Sequence, residues 1–239
     1  MLRHCFRSRA AKGEKMKRQQ GFTLIEIAIV LVIIGLLLGG VLKGQELITS
    51  ARVRNVISSQ DGIKAAYFGF LDRYRALPGD YLEVSARANI PGCGGCFGGN
   101  GNGQIVTDGT SSEAVHVWEH LSKAGFITGS YVSGAAVAAP TTANTPSNPY
   151  GSLIQLIFDN VYQDPAPANR HNLKTGANIP SDIMAEVDRK VDDGLGNGGQ
   201  LRFSTFGGAV NGAQECFNTT TGAWQSANPN ANCGGALLF

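Results

Sequence analysis

Gly21-Phe22-Thr23-Leu24-Ile25-Glu26 separates the cationic stretch Lys17-Arg18-Gln19-Gln20 from an apolar run that continues to Leu42. Residues 22–42 carry a single charge, Glu26, and at about 1.5 Å per residue a helix of that length spans roughly the 30 Å of a bilayer core. A secretory signal places its apolar region ahead of the cut and ends in small residues. Here the only cut suggested by the pattern precedes the apolar region, so the hydrophobic helix is expected to stay in the mature protein. Lys17 and Arg18 lie just before it and the residues beyond are mixed in charge. The positive-inside bias therefore puts the amino terminus in the cytoplasm and the bulk of the chain outside.

Glu26 is the exception in this run. A carboxylate deep in a membrane helix costs on the order of 2.5 to 3.5 kcal/mol on insertion scales and usually marks function. It needs a partner, or else a place near the interface from which it reaches headgroups. Gly35 and Gly39 form a G-x-x-x-G pair, and Gly40 and Gly44 a second. Small residues at that spacing let helices approach closely in lipid, and each glycine also lowers helix propensity by about 1 kcal/mol.

Lys17-Arg18, Gly21, Phe22 and Glu26 together resemble the processing site of type IV pilins and type II secretion pseudopilins. The resemblance implies that a prepilin peptidase cuts after Gly21 and methylates Phe22. It also implies that Glu26, fifth in the mature chain, neutralises the terminal amine of Phe22 in a neighbouring subunit during assembly. Gly35 matches a glycine common in pilin anchors, whereas Lys43 stands where many pilins carry proline, so a straighter junction is expected. The implied partners are the prepilin peptidase, other pilin or pseudopilin subunits, the inner-membrane assembly platform and membrane lipid. The implied location is the bacterial inner membrane, crossed once, and then a surface pilus or a periplasmic pseudopilus.

Of the 239 residues, 218 remain once the first 21 are removed, enough for an anchor helix and one head of about 160 residues. The chain is thus read as a leader at 1–21, a long helix at 22–77 with its anchor at 22–42, and a head at 78–239. Translation is expected to start at Met16, since leaders of this kind are often short. The formal charge of +2 misleads, because residues 1–21 carry seven Lys or Arg and one acid, leaving a mature net charge of −4. That mildly acidic balance does not advertise a nucleic-acid partner.

Cys5 leaves with the leader, and Cys93, Cys96, Cys216 and Cys233 remain. An even number in an exported domain suggests two disulfides. The favoured pairing is Cys216 with Cys233 and Cys93 with Cys96; the former resembles the carboxy-terminal disulfide loop of many type IV pilins. A loop of that size contributes about 3 kcal/mol in the entropy picture. Redox chemistry at Cys93-Gly-Gly-Cys96 would want a helix amino terminus, and this motif lies among glycines. A four-cysteine zinc site would want two close pairs, and Cys216 and Cys233 are 17 apart.

Val56, Ile63, Tyr67, Phe70, Tyr74 and Leu77 recur at spacings of three, four and seven, a helical face that Pro78-Gly79 stops. A helix from Phe22 to about Ala76 would be roughly 80 Å long. Beyond it, Thr110-Ser-Ser-Glu113 has capping-box spacing and opens a helix to Ala124, ended by Gly125. A second helix is expected over 181–192, strands over 153–158, 200–206 and 235–239, and exposed loops over 134–149 and 165–180. The fold class is α+β, the pilin-like arrangement of a long amino-terminal helix on a small antiparallel sheet.

His116-Val-Trp-Glu119-His120 fits the inverted zinc-peptidase signature H-x-x-E-H, but Val117, Trp118 and Leu121 make it an ordinary amphipathic helix. The looser resemblance to the pilin-like family extends to Leu77-Pro-Gly-Asp80, Gly101-Asn-Gly103 with Ile105, and Glu113, Trp118, Leu121 and Ala124-Gly125, and it favours a structural reading of that helix. Asp188, Asp192, Asp193 and Asn197 surround a flexible glycine turn in which an oxygen shell for calcium can form; the bland alternative is a solvated helix end. Asn100-Gly-Asn102-Gly aligns poorly with an EF-hand, whose first and twelfth positions would fall on Gly98 and Gly109.

Three roles follow: a pilus subunit serving adhesion, motility or DNA uptake; a pseudopilin of type II secretion; and a binding module on a pilin anchor. Tyr131, Tyr150 and Trp224 are candidate exposed aromatics for the last role, though core packing explains them equally. No enzymatic activity and no resident cofactor other than calcium is expected.

Overall fold

The computed structural model describes residue 21, residues 23–209 and residues 213–239. The chain divides into two units, Met1–Glu46 and Leu47–Phe239. Helix α1, Leu24–Tyr74, contributes to both.

In the first unit, the described residues up to 43 are all exposed, Leu24 at 92 %. A helix apolar all round that none of the described residues covers has the surface of a membrane span or of the interior of an assembly. In the second unit the same helix becomes one-sided, burying Val53, Val56, Gln60, Ile63, Ala66, Tyr67 and Phe70. It ends at Tyr74 rather than near Ala76. Arg75 turns to φ 54°, and Pro78 disfavours helical backbone at Leu77.

Helix α2, Glu83–Asn89, was not foreseen; it is a short helix of about two turns, pinned by a Glu83–Arg87 ion pair at 2.8 Å and the buried Ala86. Helix α3, Glu113–Lys123, ends in a Schellman motif. Gly125, at φ 79°, donates to Ser122 O, and Phe126 donates to Leu121 O. Its start corrects the expected capping box. Ser112 is the N-cap residue but its hydroxyl accepts from Ala138 N–H, and Thr110 bonds Asp108. The Glu113 carboxylate faces the preceding loop instead.

Strands β1 (Gln155–Asp159), β2 (Arg170–Lys174), β3 (Leu201–Phe203) and β4 (Gly235–Leu238) form one antiparallel sheet in the order β1-β2-β4-β3. Leu156 pairs with Leu173, Leu173 with Leu237, and Leu237 with Leu201, a row of leucines crossing the whole sheet. All four are buried beneath α1, α3 and helix α4, Ser181–Val191, in a single core.

β2 overturns the reading of 165–180 as an exposed loop. It is an inner strand although Leu173 is its only large apolar residue. Its polar side chains are matched by Asp159 on β1: Lys174 forms an ion pair with it, and Asn172 Nδ2 donates to its carboxylate at 3.0 Å. Burial lowers the Lys174 pKa and the Asp159 carboxylate opposes that fall. The 134–149 segment holds no helix or strand, yet Asn144, Thr145 and Asn148 within it are buried. The Asn148 amide donates to Thr175 O and Ala177 O at 2.8 and 2.9 Å, so that loop is partly built into the core. A short helix α5, Ala213–Cys216, precedes the final loop.

Candidate functional site

Thr23 stands one residue before α1 and Glu26 three positions into the chain beyond it, the spacing of a capping box. Here the box forms. Thr23 N–H and Oγ1–H donate to Glu26 Oε2 at 2.7 and 2.8 Å, and Glu26 N–H donates to Thr23 Oγ1 at 3.3 Å. The one carboxylate of the apolar run is therefore held at the helix start, where the macrodipole also favours negative charge. Gly21 is exposed; Phe22, with Lys17 and Arg18, lies outside the described residues. A Cβ added at Gly35, Gly39, Gly40 or Gly44 would meet nothing within 4 Å. The chain's own packing therefore does not require these glycines, and their faces are open to a neighbouring helix.

In the second unit the H-x-x-E-H residues serve the fold. His120 Nδ1 accepts from Gly79 N–H at 3.0 Å and its Nε2 donates to Phe97 O at 2.8 Å. His116 Nε2 donates to Ala135 O, and Glu119 accepts from Ser133 N–H and Oγ–H. The two imidazoles face different loops rather than one ion. Burial lowers both histidine pKa values, that of His120 to about 4. A Cβ at Gly79 would fall 2.4 Å from Glu113 O, so the Pro78-Gly79-Asp80 turn can lie against α3 only as glycine.

That turn aims Asp80 at the glycine-rich loop. Its carboxylate accepts from the N–H groups of Gly101, Asn102 and Gly103 at 2.7 to 3.1 Å, while the buried Glu113 accepts from Asn100 and Val106. Loop 100–106 thus turns donors inward onto two carboxylates, the reverse of a cation-binding loop. Its acids were legible in the sequence only as isolated matches, because their partners are backbone groups.

Cys93 is joined to Cys96 and Cys216 to Cys233. Asp188, on α4, lies with Asp192 and Asp193 so that one carboxylate oxygen from each falls within 4.8 Å of the others. Burial pushes the Asp188 carboxyl up to about 7, with Asp193 and Asp192 adding to the rise. Asn197 rests against Gly222, where an added Cβ would fall 2.2 Å from its Oδ1. Trp224 is not an exposed aromatic. It is 5 % exposed, and its indole N–H donates to Asp188 Oδ2 at 2.6 Å. Tyr131 and Tyr150 are half-buried against the core. Pairing of Trp224 with Asp188 across 36 residues had no signal in the sequence.

Residues 16–42 match the family model of the prokaryotic N-terminal methylation motif. No curated protein and no solved structure matches the chain.

Proposed function

We propose, from the type IV pilin and pseudopilin signature carried by residues 16–42, that the chain is a structural subunit of a type IV pilus. The motif marks subunits that are processed by prepilin peptidase and assemble with others of their kind, and the unburied apolar helix fits a membrane-anchored precursor. The finer reading is cleavage after Gly21, methylation of Phe22, one pass through the inner membrane with the amino terminus in the cytoplasm, and transfer into a filament at the surface. The observation that carries it is the junction itself: a methylation motif running into a helix whose described residues up to 43 are all exposed in the single chain. Such a surface is stable only in lipid or against other helices. Glu26 enters this scheme prepared. Its capping box with Thr23 satisfies the carboxylate in the unassembled chain, and the terminal amine of a neighbouring subunit would take over that role on assembly.

The test is mass spectrometry of sheared surface filaments and of the membranes left behind. An abundant species beginning at N-methyl-Phe22 in the sheared fraction is expected. The processed species confined to membranes would turn the assignment to a secretion pseudopilin, and an unprocessed chain in both fractions would overturn the family reading.

A further inference from the structure

We propose that Asp188, Asp192 and Asp193 form a binding site for a divalent cation of the calcium type in the Leu47–Phe239 unit. This inference does not rest on the filament reading, and either can fail alone.

The three carboxylates gather at the carboxyl end of α4, within 4.8 Å of one another, where the helix macrodipole adds further negative character. Among the described residues no Lys or Arg forms an ion pair with any of them; Arg189, next to Asp188, is paired with Glu186 instead. The second observation is inside the cluster. Asp188 is completely buried, and while its Oδ2 accepts from Trp224, its Oδ1 has no hydrogen-bond partner among the described residues. A buried acceptor left unmatched is costly, and a cation at the junction of the three side chains supplies the missing partner.

The surrounding turn holds the other two carboxylates in place. Asp192 accepts from Gln200 N–H, and Asp193 from Leu195 N–H at 2.8 Å. A Cβ at Gly198 would fall 2.6 Å from Asp193 Oδ2, so the turn runs close beside that carboxylate. Three carboxylates converging within 4.8 Å offer the hard oxygen ligands that calcium takes in a flexible shell at about 2.3 to 2.6 Å, whereas magnesium demands near-ideal octahedral geometry and gives up its waters reluctantly. Asp192 and Asp193 are exposed, which leaves water to complete the shell. Bound there, the ion ties the end of α4 to the turn that leads into β3.

Isothermal titration calorimetry of the full-length protein in detergent, stripped with a chelator and titrated with calcium chloride, tests the site. One calcium per chain is expected, with a dissociation constant of about 0.1 to 1 mM, the range of extracellular modules. Calcium should raise the melting temperature, a chelator should reverse the rise, and magnesium should shift it much less. Asp193→Asn, at an exposed position, should keep the fold and weaken calcium at least about tenfold, the loss of one charged ligand. Asp188→Asn should abolish binding; should that variant fail to fold, the Asp193 variant and the wild-type titration decide. No saturable heat in the wild type, or unchanged affinity in Asp193→Asn, would overturn the proposal.

Discussion

Leu36, Leu37 and Leu38 in the first unit are 60 to 74 % exposed, while Leu156, Leu173, Leu201 and Leu237 in the second are at most 2 % exposed. The side chain is the same and the amount of it is similar. What differs is periodicity and neighbours. The first group is a consecutive run on a helix apolar all round, which no face of a single chain can cover. The second is one residue from each of four strands, aligned in register so that one row of the sheet is apolar and the helices above close over it. The second unit thus completes its own core, whereas the apolar surface of the first is left uncovered by the described residues.

The sharpest way to break this contrast is Glu26→Ala. It leaves the anchor apolar and the head untouched, so membrane insertion and head folding should be unchanged while filament assembly is lost, read by shearing and by fractionation. Normal filaments from that variant would remove Glu26 from assembly. Leu173→Ala against Leu37→Ala comes next. The first opens a cavity in the leucine row and should cost the head about 2 to 5 kcal/mol in denaturant unfolding of the detergent-solubilised chain. The second should change that unfolding by less than about 0.5 kcal/mol, and equal losses would mean that the anchor has a covering of its own.

Acid supplies a third comparison, confined to the head. His120, its pKa held near about 4 by burial, is neutral when folded, and an unfolded histidine titrates near about 6.5. The unfolded state takes up the proton first as pH falls, so the contribution is whole above about pH 6.5 and is lost toward about pH 4, by about 3 kcal/mol. Burial shifts His116 the same way, while the raised carboxyls of Asp188 and Glu113 pull in the opposite direction. The histidine part is therefore read as the stability difference between wild type and His120→Gln, which should narrow on acidification. A difference independent of pH would mean that His120 is not held neutral.

The smallest effect separates two identical spacings. Thr23-x-x-Glu26 closes as a capping box and Thr110-x-x-Glu113 does not. Thr23→Ala should reduce helicity at the start of α1, at a cost of about 1 kcal/mol; amide hydrogen exchange at residues 24–27 would report it. Thr110→Ala should alter head stability by under about 0.5 kcal/mol. A larger effect at Thr110 would show that its hydroxyl acts on α3 after all.

The two boxes also show why the head was less legible than the anchor. Among the described residues, Thr23 bonds only within its own first turn, to Glu26, so spacing is enough to predict it. At Glu113, loop 100–106 arrives from elsewhere in the chain with unpaired N–H groups and takes the carboxylate. β2 was hidden for a related reason: Asn172 and Lys174 read as loop residues until Asp159 on the neighbouring strand satisfies them. The three aspartates were visible as a cluster near glycines, but the buried orphan oxygen and its indole neighbour were not.

By itself, the sequence determined the long apolar helix start, its single charge, the methylation-motif junction, the amphipathic stretch of α1 and the stripe of α4, because each depends on charge, hydropathy and periodicity over a few neighbouring residues. Tertiary structure alone decided which polar groups are buried, which strand lies inside the sheet and where the two histidines point. Those outcomes depend on partners brought from 13 to 41 residues away, and long-range pairing leaves no periodic trace in the chain that carries it.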